Sequence, residues 1–292
     1  PMLRQAYNVL EGNVVVLFQT GCAMVTTTGY PKTAHRITYI HNLFQNGAAT
    51  LSGLVEMYHE RIRRGEIPAP PEGEDTTFIM VTGDGGMDIG MGAALGTAHR
   101  NHKMIILEYD NQGYMNTGSQ LSYATPYGHR TSTSEVGGKL SGKRFHHKDT
   151  PQIFAACNLP YVFTASEGYP EDFMRKISKA QWYARHEGLV YGKVLSFCPL
   201  NWRTQDDAAQ EVLQTAIDCC FFPLYEVEKG HTNITYDPDA IGRRRSVRDW
   251  LGQMGKTKHM LTRDSAERLE LIEHEVEKRW QKLKIKSQHP EL

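Results

Sequence analysis

The chain has few cysteines and no long hydrophobic run. It contains five cysteines, and an odd number without a secretory segment argues against the disulfide framework of a small secreted protein. The apolar run VVVLF at 14–18 is much too short for a signal peptide or a transmembrane helix. We therefore expect a cytoplasmic protein that does not enter a membrane.

The chain also lacks an excess of charge of either sign. Its 292 residues include 33 Lys and Arg and 33 Asp and Glu, so the formal net charge is zero. Without a basic excess, nothing favours nucleic acid or a membrane surface as a partner. A chain of this length can bury a sizeable core, as one large α/β domain or as two smaller ones.

Polar side chains follow two apolar runs in the segment 83–120. Asp84 comes after TFIMV (77–81), and Asn111 follows KMIILEYD. Continuous apolar runs are typical of buried parallel strands, whose carboxyl ends meet at one edge of a sheet. A carboxylate, an amide oxygen and a nearby backbone carbonyl suit Mg²⁺, which usually takes phosphate oxygens as further ligands. The pattern predicts a metal-bound diphosphate at this edge.

The glycines around Asp84 fit the same prediction. Gly83, Gly85 and Gly86 let the backbone approach a ligand closely, and the small apolar residues of 88–99 predict a helix whose N-terminus faces phosphate. The expected order is strand, phosphate loop, helix, strand and metal loop. GDGG alone is weak because Gly and Asp are common turn residues; its combination with NQGYMNTG carries the specificity.

The remaining pattern alternates strands and helices. Strands are predicted at 13–18, 161–165 and 189–197, helices at 48–64 and 170–186, and a loop at 65–75. This alternation predicts a doubly wound, mainly parallel α/β sheet with helices on both faces. The segment 123–149 has little periodicity, which is typical of a functional or a disordered loop.

The carboxyl-terminal part differs in character. We divide the chain into an α/β domain at 1–240 and a partly helical extension at 241–292. A stripe of apolar residues at helical spacing indicates docking on the same or a neighbouring subunit, whereas a solvated, frayed helix is the alternative. The stripe consists of Leu269, Ile272, Val276 and Leu283. The arginines of RRRSVRDW, from 243, are expected on a solvated face or at a subunit contact.

GDGG followed by DNQGYMNTGSQ and ATPYG resembles the thiamine-diphosphate-binding beta subunit of the 2-oxoacid:ferredoxin oxidoreductases, the pyruvate synthase type above all. Further matches are TGC at 20–22, YPKTAHR at 30–36, FQNGAA at 44–49, FCPLNW at 197–202 and RRRSVRDWLGQMGKTKH at 243–259. The resemblance covers residues 3 to about 259. It implies the thiamine-diphosphate-binding fold and oxidative decarboxylation of a 2-oxo acid, with electrons passing through [4Fe-4S] clusters to ferredoxin.

The resemblance also implies roles for individual residues. The side chains of Asp84 and Asn111 and the carbonyl of Gly113 would hold Mg²⁺. Asn116 would face the substrate and donate a hydrogen bond to it, although an asparagine here can also simply form a turn. The residues expected to bind the cofactor are Gly21, Cys22, Gly83, Asp84, Gly85, Gly86, Asn111, Gly113, Tyr114, Met115, Asn116 and Thr117.

Two cysteines match ligands of the iron-sulfur cluster nearest the thiamine. They are Cys22 in TGC and Cys198 in FCPLNW. In the family, a CxxC just upstream of the segment resembling LRQAYNVL supplies the other two thiolates. We expect such a CxxC before Pro1 in the natural protein; an incomplete, lost cluster is the alternative. Cys157, Cys219 and Cys220 are expected in the core.

One catalytic group has no counterpart in the sequence. Thiamine enzymes need a Glu beside the aminopyrimidine, and the resemblance implies that another subunit provides it together with most substrate-binding residues. The implied partners are therefore other subunits, ferredoxin, a 2-oxo acid and, in most relatives, coenzyme A. Pyruvate is the first expectation for the substrate. Oxalate, which would need no coenzyme A, and other 2-oxo acids are alternatives.

Three other functions compete with this interpretation. A non-oxidative thiamine-dependent decarboxylase or synthase subunit would share the cofactor site but need no iron. A noncatalytic interaction subunit would retain only the fold. A nicotinamide-dependent dehydrogenase is disfavoured because GDGGMDIG lacks the G-x-G-x-x-G arrangement and leaves Asn111 without a role.

Overall fold

A computed structural model describes residues 1–33, 35–71, 74–289 and 291, and within them the chain forms an eight-stranded sheet and a separate two-stranded one. The strands are β1 Val14–Gln19, β2 Thr38–Asn42, β3 Thr77–Gly83, β4 Ile105–Asp110, β5 Val136–Gly137, β6 Leu140–Ser141, β7 Tyr161–Ser166, β8 Val190–Leu195, β9 Leu224–Glu228 and β10 His231–Tyr236. The large sheet has the order β10-β9-β7-β8-β4-β3-β1-β2, and β5 pairs with β6.

Helices connect the strands. They are α1 Met2–Tyr7, α2 Cys22–Thr27, α3 Gly47–Arg63, α4 Asp84–Arg100, α5 Thr150–Ala155, α6 Pro170–His186, α7 Pro199–Trp202, α8 Ala209–Asp218, α9 Val247–Gly252 and α10 Ala266–Gln288. In the part of the chain that the structure describes, no helix combines the length and the apolar character needed to cross a bilayer.

The large sheet is mainly parallel and covered on both faces. The six strands from β2 to β7 in the sheet order run parallel, whereas β9 runs antiparallel to β7 and β10. Successive side chains of a strand point to opposite faces. Thus Ile106 joins one buried cluster, with residues of α3, α8 and α10, and Leu107 joins another, with residues of α6. The predicted fold class is confirmed.

The sequence prediction is wrong about where α4 begins. We expected a phosphate loop at 83–86 and a helix from 88, but the helix starts at Asp84, directly after β3. An acidic residue in the first turn interacts favourably with the positive end of the helix dipole. A Cβ on Gly86 would lie 2.7 Å from Oγ1 of Thr82. The glycine therefore serves close packing inside the first helical turn, which GDGG does not reveal.

Other elements were predicted with varying success. The helix at 170–186 has the expected bounds, with Pro170 in its first turn. β2, β9 and β10 were missed; β2 and β10 lie at the sheet edges, and their partly exposed residues form no continuous apolar run. Residue 34 of the YPKTAHR match and residues 72 and 73 of the predicted loop lie outside the described residues.

The apolar stripe of α10 packs against the chain's own core. All four stripe residues are buried, and so is Trp280. These side chains belong to the same hydrophobic cluster as Ile106 of β4 and Tyr191 of β8. Three of the nearby arginines form ion pairs with acidic residues of this chain: Arg244 with Glu277, Arg245 with Glu211 and Arg248 with Glu273.

Candidate active site

A cavity of about 130 Å³ opens at the carboxyl ends of β1, β3 and β4. We call it the cofactor cavity. Its lining includes all twelve residues that the sequence analysis assigns to the cofactor. Thr20, Phe44 and Tyr109 complete the lining, and the sequence analysis did not select them. Phe44 is the first residue of the FQNGAA match, so this motif could have indicated that the segment lines the cavity.

Oxygen atoms converge on one point of the cofactor cavity. The side-chain amide of Asn111 places one terminal atom 2.9 Å from the carbonyl oxygen of Gly113 and 3.1 Å from Oδ1 of Asp84. With nitrogen there, the amide donates two hydrogen bonds. With oxygen there, three oxygens face one another. Ligands of an octahedral Mg²⁺ at about 2.1 Å lie about 3 Å apart, so the oxygen orientation fits a bound cation.

Asp84 is buried without a counter-ion. Its residue is 1% exposed, and no Lys, Arg or His forms an ion pair with it among the described residues. Burial raises the pKa of Asp84 well above its usual range, and nearby Asp110 raises it further, whereas Ser122 and Lys148 oppose the shift. The hydroxyl of Ser122 donates to Oδ2 at 2.6 Å. A cation at Oδ1 would stabilise the charged carboxylate, so the residues present fit a metal.

The irregular segment 123–149, which follows the loop at 111–120 (the metal loop of the sequence analysis), contacts the first turn of α4. Nζ of Lys148 donates to the carbonyl oxygen of Asp84 at 2.8 Å and to Oδ1 of Asp88 at 2.5 Å. The other carboxylate oxygen of Asp88 accepts from the backbone N–H of Tyr123 at 2.8 Å. Sequence reasoning missed both residues, although Asp88 lies one helical turn after Asp84 and Lys148 belongs to the segment 123–149. These contacts orient the helix start.

Residues of the FCPLNW match and of the carboxyl-terminal match at 243–259 donate hydrogen bonds to the start of the metal loop. The side-chain amide of Asn201 and the indole N–H of Trp202 donate to the carbonyl oxygen of Asn111 at 2.6 and 3.1 Å. Nζ of Lys256 donates to Oε1 of Gln112 at 2.7 Å. Burial lowers the pKa of Lys256 to about 7, against the opposing effect of nearby Cys198. The separate matches FCPLNW and GKTKH thus meet at one loop.

The structure brings Cys22 and Cys198 into one neighbourhood. Burial raises the pKa of the Cys22 thiol; the backbone of Asn116 and the side chain of Asn111 lower it, and Cys198 raises it. Both cysteines are partly exposed, whereas Cys219 and Cys220 lie in the apolar core. A [4Fe-4S] cluster takes four ligands, usually thiolates. The resemblance assigned Cys22 and Cys198 to two of them, and the two thiols lie close enough to interact electrostatically.

Clusters of acidic, histidine and cysteine residues do not mark this site. Among the described residues, no group of three or more His, Cys, Asp and Glu could hold a metal ion. The three converging oxygens include only one carboxylate, and the others belong to an amide and a backbone carbonyl. Such oxygens are ordinary ligands of hard cations.

Asn116 lies in a turn at the mouth of the cofactor cavity. The backbone N–H of Gly118 donates to the carbonyl oxygen of Met115 at 3.2 Å, which closes the turn around Asn116 and Thr117. The hydroxyl of Thr117 donates to the side chain of Gln120, whose amide donates back to the Thr117 carbonyl oxygen. The exposed side-chain amide of Asn116, in contrast, makes no hydrogen bond within the described ranges. The turn therefore does not use this amide, which is free to contact a ligand.

The comparison with protein families agrees with the position of the cavity. The family model described as the thiamine pyrophosphate enzyme, C-terminal TPP binding domain, matches residues 20–192. Thiamine pyrophosphate is the same molecule as thiamine diphosphate. The matched range begins directly after β1 and extends into β8, so it contains all the lining residues of the cofactor cavity.

Curated relatives are similar over most of the chain. The pyruvate synthase subunit PorB of Thermotoga maritima is 39% identical over 92% of this chain and 81% of its own length. PorB of Methanocaldococcus jannaschii is 38% identical over 91% of this chain and 87% of its own. The ketoisovalerate oxidoreductase subunit VorB of Pyrococcus abyssi is 30% identical over 97% and 87%.

A solved structure shows the same fold. The 2-oxoglutarate:ferredoxin oxidoreductase of Magnetococcus marinus superposes with a TM-score of 0.52 at 21% identity, covering 73% of this chain and 72% of that one. At this identity the likeness concerns the fold alone, whereas the curated relatives and the family model establish membership. The chain belongs to the PorB and VorB family of thiamine-pyrophosphate-binding subunits of 2-oxoacid:ferredoxin oxidoreductases.

Proposed function

We propose that this chain is the cofactor-binding subunit of a pyruvate synthase, an enzyme complex that oxidatively decarboxylates pyruvate. The observation that carries the proposal is the convergence of oxygens from Asp84, Asn111 and Gly113 in a cavity lined by the family's cofactor motif. The PorB relatives, at up to 39% identity among those compared, favour pyruvate over the branched 2-oxo acid of the 30% identical VorB.

These oxygens would hold Mg²⁺, which anchors the diphosphate of thiamine pyrophosphate. Gly83, Gly85 and Gly86 line the same cavity at the N-terminus of α4, and backbone N–H groups at a helix N-terminus favour phosphate. The bound cofactor supplies a carbanion for attack on the 2-oxo carbon and an electron sink for the loss of CO₂. The protein would bind and orient the reactants, with Tyr114 and Met115 in the cavity wall.

Asn116 would act on the substrate. Its exposed amide, at the mouth of the cofactor cavity, can donate a hydrogen bond to the substrate carboxylate or to negative charge that develops on the carbonyl oxygen. The aminopyrimidine-side Glu and most substrate-binding residues would come from a partner subunit. The active site would then be completed across a subunit interface.

Electrons would leave through an iron-sulfur cluster. Cys22 lies beside Asn116 and near Cys198, so a cluster ligated by both would be next to the cofactor. Two further thiolates are needed, and they would come from outside the five cysteines of this sequence. Ferredoxin would accept the electrons and coenzyme A the acyl group. All five cysteines are free thiols, as is usual in the cytoplasm, where we propose that the complex works.

The test is an assay of the native complex purified under anaerobic conditions. We expect bound thiamine pyrophosphate, Mg²⁺ and iron, together with reduction of ferredoxin that depends on pyruvate and coenzyme A. Decarboxylation without iron and without acceptor reduction would identify a non-oxidative enzyme instead. A complex that binds no thiamine pyrophosphate would identify a noncatalytic subunit. Oxalate and other 2-oxo acids in the same assay test the choice of substrate.

A cysteine variant tests the electron path separately. Cys22→Ser should lower the iron content and remove most ferredoxin reduction, while pyruvate-dependent release of CO₂ is retained to a greater extent. Cys157→Ser, a partly buried cysteine outside the cofactor cavity, is the matched control and should retain both activities. Unchanged iron content and ferredoxin reduction in Cys22→Ser would contradict the assignment as a cluster ligand.

A further inference from the structure

A second and larger cavity, of about 420 Å³, lies beneath α10. We call it the α10 cavity. The other walls come from the loop before α5 and the start of α5, the end of β4, Thr164 of β7, Lys193 of β8 and the segment 221–225. It shares no lining residue with the cofactor cavity within the described part of the chain. Its volume is in the range of about 300–1,000 Å³ that is typical of small-molecule sites.

The lining of the α10 cavity is strongly basic. Six cationic residues and three acidic ones line it, and the buried carboxylates of Asp88 and Glu108 lie behind the wall within 4 Å of its lysines. The six are Lys148, Lys193, Lys278, Arg279, Lys282 and Lys286. His147 adds no charge, because burial lowers its pKa well below the usual range and its Nε2 lies 2.8 Å from the Arg279 guanidinium. A concave basic surface concentrates anions.

Three of these cations already have carboxylate partners. Lys148 pairs with Asp88 at 2.5 Å and Lys193 with Asp110 at 2.9 Å. Arg279 pairs with Glu275 at 2.7 Å. These ion pairs hold the side chains of Lys148, Lys193 and Arg279 in place. The positive charge that is available to a ligand therefore comes from the other cations.

Lys278 and Lys282 have no such partner. Neither side chain makes a hydrogen bond or ion pair with any residue that the structure describes, and Lys286 contacts only the neutral amide of Gln152, at 2.7 Å. Lys278 and Lys282 are separated by four positions on α10, so their Cβ atoms are about 5–6 Å apart. Two flexible ammonium groups at this spacing can reach the same anion.

Part of the remaining lining is apolar. Phe221 and Phe222 are only 6% and 8% exposed, and Leu283 of α10 is 6% exposed. Pro223 and Tyr225 extend this surface. A purely inorganic anion would leave the small exposed part of these side chains in contact with water. An anion that carries an aromatic or aliphatic group would bury it and gain hydrophobic binding energy.

We propose that the α10 cavity is a binding site for a small organic phosphate, with the phosphate at Lys278 and Lys282 and the organic group against Phe222 and Leu283. A phosphate monoester carries a charge of about −1.5 to −2 at neutral pH, which matches two uncompensated ammonium groups better than a monocarboxylate does. Lysine ammonium groups bind phosphate as point charges, without the planar geometry that an arginine fork requires.

The experiment uses the native complex with saturating Mg²⁺ and thiamine pyrophosphate, so that the proposed cofactor site is occupied. AMP and phenyl phosphate are titrated by calorimetry, with adenosine and phenol as their uncharged counterparts. We expect saturable binding of the phosphates only, weaker at high salt. In Lys278→Ala/Lys282→Ala, the Kd should rise about tenfold or more. Both lysines are exposed, so this variant should fold normally.

The matched control is Lys103→Ala/Lys139→Ala, which removes two exposed lysines outside the α10 cavity and should leave the Kd unchanged. Three results would overturn the proposal. They are the absence of saturable binding of both phosphates, equal affinity in Lys278→Ala/Lys282→Ala and wild type, and equal binding of the uncharged counterparts. None of these results depends on whether the complex oxidises pyruvate.

Discussion

The cofactor cavity and the α10 cavity lie on either side of the end of β4, yet they have opposite electrostatic character. Adjacent residues separate them, because Asp110 lines the α10 cavity and Asn111 the cofactor cavity. Asp84 is the one acidic residue among the described lining of the cofactor cavity, which offers carboxylate, amide and carbonyl oxygens. The α10 cavity offers ammonium groups.

This difference shows two ways to bind a phosphate. In the cofactor cavity, neutral and acidic oxygens would need a metal ion between the protein and the proposed diphosphate. In the α10 cavity, lysines would contact the anion directly. The first arrangement comes from two short motifs, whereas the second combines residues between 110 and 286 that only the packing of α10 brings together. We therefore expect substitutions to affect the two cavities differently.

The largest expected effect comes from Trp280→Ala, which should disturb the α10 cavity by weakening the packing of α10 against the core. The indole is fully buried, and its N–H donates to Asp239 at 2.7 Å. Loss of a buried aromatic side chain costs about 3–5 kcal/mol. We expect a correspondingly lower free energy of unfolding, measured with denaturant. Trp280→Phe is the control and should retain much of the stability; a Trp280→Ala protein as stable as wild type would show that α10 does not depend on this contact.

The second prediction concerns Asp84→Asn, which removes the carboxylate of the cofactor cavity. Affinity for thiamine pyrophosphate with Mg²⁺ should fall about a hundredfold, which corresponds to about 2.7 kcal/mol, as measured by calorimetry. The metal-free complex should become more stable at pH 7, because a buried carboxyl without a counter-ion is removed. A variant that retained wild-type cofactor affinity would contradict the metal assignment.

The sign of the pH dependence follows from the raised pKa of Asp84. The folded state holds this proton at pH values where the unfolded state has lost it, so wild-type stability falls as pH rises through that interval. The advantage of Asp84→Asn should therefore disappear below the ordinary pKa of about 4. Asp110→Asn is the matched contrast, since it removes the closer of the two carboxylates that pair with buried Lys193, at 2.9 Å, leaves Glu108 at 3.5 Å, and should destabilise the complex.

The smallest expected effect concerns packing between α4 and the metal loop. A Cβ on Gly85 would lie 2.8 Å from Cζ of Tyr114, with other ring atoms closer still. Gly85→Ala should displace this ring, next to Gly113, and weaken cofactor binding about tenfold, or by about 1.4 kcal/mol. Gly92→Ala meets nothing within 4 Å on the same helix. This control should bind the cofactor normally and gain slight stability; equal cofactor affinity in the two variants would argue against tight packing at Gly85.

Much of the fold was predictable because the central strands are buried on both faces. Continuous apolar residues located β3 and β4, and Pro170 marked the start of α6. β2 was not predictable in this way, since its exposed edge position removes the apolar run. The start of α4 was misjudged because a glycine that serves packing and a glycine that serves a loop look alike in sequence.

The candidate site was likewise predictable only in part. Residues of the GDGG and NQGYMNTG motifs were predictable, because strand ends of a parallel sheet meet at one edge. The side chains that hold them were not. Lys148 reaches Asp84 across 64 positions, and Asn201 reaches Asn111 across 90. Nothing in the local pattern around Lys148 or Asn201 indicates these partners.

By itself, the sequence determined the types of chemical group at the cofactor edge, the alternation of buried strands and helices, and the family to which the chain belongs. These properties depend on local order, namely which residue follows which strand. Only the tertiary structure decided that α4 begins at Asp84, that Lys148 supports it, and that Lys278 and Lys282 line a second cavity without ion-pair partners among the described residues. Such properties depend on packing between distant segments, which hydrophobic periodicity does not encode.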